Sequence, residues 1–266
     1  MSVSLLIIDP QVDFCDPERG ALYVPGAEKD MTRLSEMIRR LGARIDAIYV
    51  TLDSHHTVHI AHPIFWQDAT GAHPHPFTPI SAAEVEAGIW KTTLPEHQER
   101  ALEYVQALER TAKYTLLIWP CHCLIGSIGH AVQPELFAAL QSWESHFAIV
   151  HYVEKGSNIW TEHYSAIRAE VPDPEDESTE RNEGLLEELR KADTILIAGE
   201  AGSHCVANTV RDIADAFGHA EEISKLVLLT DAVSAVTGFE AQQAEFLSEL
   251  IQRGMCVATT EDPLPV

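Results

Sequence analysis

The sequence has little positive charge, few cysteines and no long apolar run. Its 266 residues include 18 Lys and Arg against 41 Asp and Glu, which gives a formal net charge of −23. A surface this acidic repels phosphate backbones and anionic lipid headgroups, so the composition argues against nucleic-acid and membrane partners. Five cysteines, an odd number, do not indicate a disulfide framework in a chain of this length. We therefore expect a cytoplasmic protein with reduced thiols.

The apolar runs are also too short for a membrane span, which needs roughly 20 residues. The N-terminal run LLII (residues 5–8) ends at Asp9 and has no basic flank, so we expect a buried strand rather than a signal peptide. We find no repeat, heptad or linker. We expect one domain over residues 1–266, although the length alone would allow two.

Short apolar runs alternate with amphipathic stretches along the chain. The apolar runs predict strands over 4–8, 45–51, 147–153, 194–198, 226–229 and 256–259. Helical periodicity predicts helices over 27–41, 95–112, 206–217 and 241–251. Strands that are almost wholly apolar and separated by helices are typical of a parallel sheet buried on both faces. The sequence thus predicts an α/β fold, with an open, mostly parallel six-stranded sheet and helices on both faces.

Two segments interrupt this alternation. Residues 63–118 are long for one crossover and rich in proline, and we interpret them as an enlarged insert that forms a lid, a subunit contact or plain surface. The acidic segment 167–192 contains the run PDPEDESTERNEGLLEE, which indicates a solvated loop that leads into a helical turn over 184–190. A homo-oligomer is compatible with the sequence.

Reactive side chains follow four of the predicted strands, and Cys205 is the most informative of them. Ligands of open α/β sheets bind at the carboxyl ends of the strands. Cys205 lies at the start of a predicted helix, where free N–H groups favour a thiolate and can hold an oxyanion. Asp9 can exchange a proton with such a thiol, and Lys155 favours the charged forms of both. The alternatives are a structural cysteine, a turn residue before Pro10, and an ion pair of Lys155 with Glu154 or another acid.

A second group of residues has the chemistry of a metal site. Asp53 and His55 are two residues apart in extended chain, so their side chains point to the same side. His122, in the sequence WPCHC, is a candidate third ligand, and such a set suits Zn²⁺, Mn²⁺ or Fe²⁺. The alternative is a zinc site of Cys121, His122 and Cys123, for which the C-x-C spacing is poor.

Three further histidines, His56, His59 and His62, crowd the loop after the second strand. They either support the metal ligands through hydrogen bonds or face solvent. The residue pattern leaves both interpretations open.

The ordered motifs of the chain resemble those of the isochorismatase-like cysteine hydrolases, and among these the nicotinamidases most. The matching segments are DPQVDF (9–14), GALYVPGA (20–27), TLDSH with HI (51–55 and 59–60), WPCHC (119–123), Lys155 with YSA (164–166), GEAGSHCV (199–206) and DA (231–232). The resemblance covers the chain except for residues 63–118 and 167–192.

The resemblance implies a Rossmann-like three-layer sandwich and a set of site residues. It implies a catalytic triad of Cys205, Asp9 and Lys155, and metal ligation by Asp53, His55 and His122. It also implies a cis peptide bond between Glu200 and Ala201 that directs the N–H groups of Ala201 and Cys205 at an oxyanion. Phe14 and Trp119 would flank an aromatic substrate. The cofactor would be one divalent metal ion, Zn²⁺ first, with Mn²⁺ or Fe²⁺ as alternatives.

The activity implied is metal-assisted hydrolysis of a small aromatic carboxamide, nicotinamide to nicotinate and ammonia, through a cysteine thioester. The chain departs from the family pattern at Glu200, where a small apolar residue is usual, and at Ser203-His204, where Glu-Tyr is usual. Two alternatives therefore stay open. One is a cysteine hydrolase of another small amide, carbamoyl or ureido substrate on the same fold. The other is a non-catalytic member that binds a small molecule or a partner protein.

Overall fold

A parallel sheet of six strands forms the centre of the computed structural model, which describes residues 2–110 and 115–263. Its strands are β1 (Val3–Ile8), β2 (Ala47–Asp53), β3 (His151–Lys155), β4 (Thr194–Gly199), β5 (Leu226–Leu229) and β6 (Cys256–Ala258). They lie in the order β6-β5-β4-β1-β2-β3, and every neighbouring pair is parallel. The sheet predicted from the sequence is confirmed.

Helices cover both faces of this sheet. The helices of the described residues are α1 (Val12–Cys15), α2 (Ala27–Leu41), α3 (Ala82–Glu86), α4 (Gln98–Arg110), α5 (Pro134–Glu144), α6 (Glu183–Arg190), α7 (Cys205–Phe217), α8 (Ala220–Ile223) and α9 (Glu240–Gln252). Helix α2 packs on α5, and α7 packs on α9. The chain runs from β1 through β2 to β3 in one direction across the sheet, and from β4 through β5 to β6 in the other. Because the crossovers are right-handed, the two helix pairs lie on opposite faces. Within residues 2–110 and 115–263, no helix is long and apolar enough to cross a membrane.

The central strands follow directly from their side chains. All six residues of β1 are buried, as expected for a strand covered on both faces. Strands β1 and β4 pair along their whole length and end side by side at Ile8 and Gly199. Gly199 has a φ of 115°, and a Cβ there would lie 2.0 Å from the carbonyl oxygen of Ile8. Only glycine fits at this position, where the chain leaves the sheet toward the candidate nucleophile.

The third strand was predicted too early in the chain. The apolar run that begins at Phe147 suggested a strand over 147–153, whereas β3 covers His151–Lys155. Phe147 is fully exposed, with a φ of 63°, and ends a turn after α5. The strand lies at the edge of the sheet and exposes His151, Tyr152 and Glu154, so burial does not impose an apolar pattern on it.

The insert of residues 63–118 folds against the core. It contains α3, α4 and two antiparallel ribbons, which pair Trp66–Gln67 with Lys91–Thr92 and Pro79–Ile80 with Leu116–Leu117. The helix predicted over 95–112 begins as a 3₁₀ turn at Pro95–His97 and continues as α4, while residues 111–112 lie outside the described residues. The indole of Trp66 is fully buried and donates to the Ile60 carbonyl oxygen at 2.6 Å.

The acidic segment is only partly the solvated loop that its composition suggests. Glu175, Glu177 and Glu180 are exposed, but Asp173 is buried and accepts hydrogen bonds from Arg100 at 2.6 Å and from Asn158 at 2.8 Å. The interpretation as a solvated loop is therefore wrong for Asp173, whereas the exposed acids and the helix that follows agree with it. Within this acidic run, the buried carboxylate of Asp173 links the segment to α4 through Arg100.

Candidate active site

Four neighbouring strands carry the reactive residues at their carboxyl ends. Asp9 follows β1, Asp53 ends β2, Lys155 ends β3, and the turn after β4 leads to Cys205 at the first position of α7. The order β4-β1-β2-β3 makes these strand ends adjacent. The sheet therefore brings together residues that lie almost 200 positions apart in the sequence.

The ammonium group of Lys155 is the centre of this cluster. Its Nζ lies 2.9 Å from Asp9 Oδ2, 3.0 Å from Asp53 Oδ1 and 3.6 Å from Cys205 Sγ. A fourth contact, a 2.9 Å hydrogen bond to the carbonyl oxygen of His163, fixes its direction. The side chains of Lys155 and Asp9 are almost completely buried, so water does not screen these charges.

Burial sets the resting protonation of the cluster. It raises the pKa of the Cys205 thiol well above its ordinary value, although the charge of Lys155 opposes the shift. Burial also raises the pKa of Asp9, again against Lys155. For Lys155, burial favours the neutral amine, but Asp53 and Asp9 outweigh it and raise the lysine pKa. The resting pair is thus a neutral thiol beside a carboxylate whose basicity is enhanced.

Two supporting residues were not found by sequence reasoning. Thr51 donates through its hydroxyl to Asp9 Oδ1 at 2.5 Å and accepts from the Asp9 N–H at 3.0 Å. The amide of Gln11 binds the backbone of Asp53 twice, accepting at 2.8 Å and donating at 2.7 Å. Both lie within the quoted motifs, but only the pairing of β1 with β2 shows which carboxylate each one orients.

The predicted metal ligands also come together. Nε2 of His55 lies 3.0 Å from Asp53 Oδ2, and Nε2 of His122 lies 3.3 Å from the same oxygen. Nδ1 of His122 faces the Pro120 carbonyl oxygen at 2.8 Å, which turns Nε2 inward. One donor atom from each of Asp53, His55 and His122 lies within 4.8 Å of the others. One carboxylate and two imidazoles are the donors that Zn²⁺ takes in catalytic sites.

The remaining histidines of this loop divide into two groups. His56 is exposed, whereas His59 and His62 are completely buried, so the solvent-facing interpretation is wrong for those two. Burial holds the pKa of His62 at about 3, and the ring is neutral. The alternative zinc site is not formed, because in the part of the chain that the structure describes neither Cys121 nor Cys123 joins a set of three ligating atoms.

A small cavity opens onto the Cys205 sulfur. Its volume is about 30 Å³, and its walls are formed by Phe14, Leu22, Asp53, Trp119, His122, Glu162, His163, Tyr164, Ala201, His204, Cys205 and Val236. The peptide bond between Glu200 and Ala201 is cis, as the resemblance implies. Within residues 2–110 and 115–263, the N–H groups of Ala201 and Cys205 have no acceptor. Both N–H groups therefore remain available at the cavity.

The aromatic walls of the cavity include Tyr164 and His204 beside Phe14 and Trp119. The Trp119 indole donates to the Tyr164 hydroxyl at 3.0 Å, and the Phe14 ring packs against His122 with centroids 5.4 Å apart. The His204 ring lies edge-on to Trp119 at 5.2 Å, and burial lowers the pKa of His204 to about 4. Aromatic rings thus form much of the cavity wall, and such rings favour a flat aromatic ligand.

The insert helps to build this cavity. The Tyr104 hydroxyl of α4 accepts a 3.0 Å hydrogen bond from the Glu162 N–H, next to the segment whose carbonyl oxygen holds Lys155. Phe77 packs edge-on to Trp119 with ring centroids 5.7 Å apart. These contacts argue against an insert that is only surface.

Glu200, which departs from the family pattern, belongs to a buried carboxyl pair behind the cavity. Its Oε2 accepts from the Ser234 N–H at 3.2 Å, and the Ser234 hydroxyl donates to Asp30 Oδ2 at 2.5 Å. Burial first, and then the charge of Asp30, raise the pKa of Glu200 well above its ordinary value of 4.5. The side chain is therefore a neutral acid in the folded protein.

The substitution Glu200→Gln is expected to change how stability depends on pH. Because the folded-state pKa of Glu200 is raised, its contribution to stability is complete below about pH 4.5 and is lost as the pH rises toward that pKa. The free energy of unfolding of the wild type should then fall relative to that of Glu200→Gln by about 1.4 kcal/mol per pH unit in this range. Urea unfolding at pH 5 and pH 8 measures the difference, with the exposed Glu245→Gln as control. The contrary result is that the free energies of unfolding of Glu200→Gln and the wild type differ by the same amount at both pH values. That result would show that Glu200 is ionised when folded.

Comparison with known proteins identifies the fold. No protein-family model and no curated protein sequence matches the chain. The solved structure of the yeast nicotinamidase Pnc1p matches with a TM-score of 0.66 and 20% identity, over 96% of this chain and 99% of that chain. The fold is that of the nicotinamidases.

Two other solved structures extend the comparison. PnC1 from L. infantum, in complex with nicotinate, has a TM-score of 0.60 and 21% identity, over 97% of this chain and 93% of that chain. The pyrazinamidase of Pyrococcus horikoshii, in complex with zinc, has a TM-score of 0.56 and 19% identity, over 97% and 99%. At these identities the similarity confirms the resemblance as a nicotinamidase fold.

Proposed function

We propose that the protein is a metal-assisted cysteine amidase that hydrolyses a small aromatic carboxamide, with nicotinamide as the substrate and nicotinate and ammonia as the products. The observation that carries this proposal is the contact of Lys155 Nζ with Asp9, Asp53 and the Cys205 sulfur at the wall of an aromatic cavity. We propose that residues 1–266 act as one hydrolase domain.

In the acylation half of the reaction, Asp9 accepts the thiol proton as the Cys205 sulfur attacks the carboxamide carbon. The C–S bond forms and the carbonyl oxygen becomes an oxyanion, which the N–H groups of Ala201 and Cys205 stabilise. Asp9 then returns the proton to the departing nitrogen. The C–N bond breaks, ammonia leaves and a thioester remains on Cys205. Lys155 stays protonated throughout and stabilises the negative charge as it moves between sulfur and carboxylate.

In the deacylation half, Asp9 takes a proton from a water molecule that attacks the thioester carbon. The C–S bond breaks, and the leaving thiolate is stabilised by Lys155 until Asp9 returns the proton. The product is a carboxylic acid, which ionises to the carboxylate at neutral pH. The raised pKa of Asp9 suits both steps, because a base is most effective when its pKa is near the working pH.

The residues of the cluster fit a divalent metal ion. Asp53, His55 and His122 would hold it, because Asp53 Oδ2 lies 3.0 Å from His55 Nε2 and 3.3 Å from His122 Nε2. We favour Zn²⁺, with Mn²⁺ or Fe²⁺ as alternatives. When bound, the ion supplies a Lewis-acid site for a ring nitrogen of the substrate. Phe14 and Trp119 would flank the ring and hold the carboxamide over the sulfur. The complexes of the related structures with nicotinate and with zinc support both parts of the proposal.

An ammonia-release assay over a panel of nicotinamide, pyrazinamide, an aliphatic amide, a carbamoyl compound and a ureido compound tests this function, with metal content measured on the same sample. We expect the two aromatic carboxamides to be hydrolysed. Removal of the metal by a chelator should lower the rate, because the Lewis-acid site for the substrate ring is lost, and Zn²⁺ should restore it.

Two results of this assay would overturn the proposal. Turnover of a ureido or carbamoyl compound alone, unchanged by the chelator, would indicate a different cysteine hydrolase on this fold. Binding of a panel compound with no release of ammonia from any of them would indicate a non-catalytic protein.

A further inference from the structure

The turn that leads to the nucleophile lies against the segment that follows β5. We call these two parts the nucleophile turn (residues 199–203) and the supporting segment (residues 232–236). The Gly202 N–H donates to the Ser234 carbonyl oxygen at 2.7 Å, and the Ser234 N–H donates to Glu200 Oε2 at 3.2 Å. One residue of the supporting segment therefore binds the nucleophile turn through both its N–H and its carbonyl oxygen.

The two residues bound in this way, Glu200 and Gly202, flank Ala201, whose N–H has no acceptor in the described part of the chain. On the side of the sheet, the Glu200 N–H donates to the Ile8 carbonyl oxygen at 2.7 Å. The Ala201 carbonyl oxygen accepts from the His204 N–H at 3.0 Å. The direction of the Ala201 N–H is thus set by its neighbours, and the Glu200 carboxyl contributes one of these contacts.

The Glu200 carboxyl is itself anchored to helix α2. The Ser234 hydroxyl donates to Asp30 Oδ2 at 2.5 Å, and the Arg33 guanidinium donates to Asp30 Oδ1 at 2.5 Å. Glu200 is completely buried, and its Oε1 meets no donor within the described residues, as expected for an oxygen that carries an acid proton. A hydrogen bond with Asp30 contributes to the raised pKa of Glu200. The nucleophile turn and α2 are therefore joined by one buried polar network.

An apolar side chain at position 200, which is usual in the family pattern, could not form this network. It would leave the Ser234 N–H without its acceptor, and an unpaired polar group that is partly buried costs stability. The second departure from the pattern has the same effect, because Ser203 Oγ accepts from the Val236 N–H at 3.1 Å. In this chain the two departures supply side-chain acceptors for alternate N–H groups of the supporting segment.

We propose that Glu200 is a positioning residue, which holds the Ala201 N–H in the direction of the oxyanion through its hydrogen bond with Ser234. The inference rests on the proposed function, since it requires a substrate carbonyl oxygen at that N–H. Glu200 is not among the described residues that line the cavity, so it acts through the turn and not on the substrate. An oxyanion forms only during the reaction, and the loss of Glu200 should therefore lower kcat and leave KM nearly unchanged.

Three variants test this role in steady-state kinetics with nicotinamide. Glu200→Val should lower kcat by roughly tenfold, because loss of one oxyanion donor costs roughly 10²–10³-fold and a misdirected donor keeps part of its effect. Glu200→Gln should restore most of kcat, since its amide oxygen accepts from the Ser234 N–H and its amide nitrogen donates to Asp30. Glu245→Val, at an exposed residue of α9, is the control and should keep the wild-type kcat.

Hydrogen exchange in the absence of substrate gives a second readout that does not depend on activity. Mass spectrometry of the peptides that cover the nucleophile turn and the supporting segment should show about fivefold faster exchange in Glu200→Val, which corresponds to the loss of one hydrogen bond. Exchange in Glu200→Gln and in Glu245→Val should match the wild type. Should circular dichroism show that Glu200→Val does not fold, Glu200→Met replaces it.

Three results would overturn the inference. They are a wild-type kcat in Glu200→Val, a raised KM with unchanged kcat in that variant, and a kcat of Glu200→Gln as low as that of Glu200→Val.

The inference and the proposed function fail separately. A wild type that hydrolyses nicotinamide, with the same kcat in Glu200→Val, contradicts the role of Glu200 and leaves the amidase in place. A wild type that releases no ammonia contradicts the amidase, and hydrogen exchange then decides whether Glu200 holds the nucleophile turn. Equal exchange in Glu200→Val and the wild type would show that it does not.

Discussion

Ammonia release from nicotinamide should fall to the buffer background when Cys205 is replaced by alanine. The proposed mechanism forms a covalent bond to this sulfur, and no other thiol faces the cavity within the described residues. Loss of a nucleophile that acts as a unit with its base costs roughly 10⁴-fold or more in turnover. The deletion of one buried sulfur leaves Asp9 and Lys155 paired, so the fold should persist.

The control for this experiment is Cys256→Ala, at a free and exposed cysteine of the edge strand β6. It should retain wild-type turnover. Residual ammonia release in Cys205→Ala above one per cent of the wild-type rate would mean that water attacks the amide directly, and the thioester route would be wrong.

Replacing Lys155 with methionine should destabilise the protein and abolish turnover together. The change keeps the length of the side chain but removes the positive charge between Asp9 and Asp53, which are both buried. Removal of one partner from a buried ion pair costs about 3–5 kcal/mol, because the other charge remains without compensation. Urea unfolding monitored by circular dichroism measures the loss, and the exposed Lys91→Met is the control.

A second substitution tests whether uncompensated charge, rather than altered packing, causes the loss of stability in Lys155→Met. Adding Asp9→Asn to Lys155→Met removes one of the two uncompensated carboxylates, so part of the lost stability should return while turnover stays at background. The two changes should therefore be strongly non-additive in the free energy of unfolding, as expected for residues in contact. Additive losses would contradict the ion-pair account of Lys155.

The sequence predicts the buried elements of the fold better than the exposed ones. The bounds of α2 agree with the prediction residue for residue, because Met31, Leu34 and Ile38 repeat with the period of a helix that is buried on one face. The start of strand β3 was placed four residues too early and its end two residues too early, because an edge strand is half exposed and the apolar Phe147 belongs to a turn. A pattern of apolar residues indicates which residues are buried, and the residues of an edge strand are only partly buried.

The candidate site shows the same limit in another form. The sequence indicated Asp9, Lys155, Cys205, Asp53 and His55 because these residues lie at or just after the ends of predicted strands, and it indicated His122 from the motif WPCHC. The roles of Thr51 and Gln11 were not predictable, since each is defined by the partner that the β1–β2 register provides. A sequence lists the donors and acceptors of a site, but only the fold shows which ones meet.

The buried polar residues were the least predictable. A histidine-rich loop is expected to face solvent, yet His59 and His62 are fully buried. Glu200 follows an apolar strand, and nothing in the local sequence indicates that Asp30 lies behind it with Ser234 between them. His59 and Glu200 are held by partners that are distant in sequence, Thr161 and Ser234, so the local sequence pattern does not predict their burial.

The most direct measurement of the central claim is the mass of the protein after rapid acid quenching during turnover of nicotinamide. The account predicts an added nicotinoyl group on the peptide that contains Cys205, labile to hydroxylamine as a thioester is, and absent from Cys205→Ala. An unmodified Cys205 under conditions in which ammonia is released at the steady-state rate, with the acyl group on another residue, would contradict it.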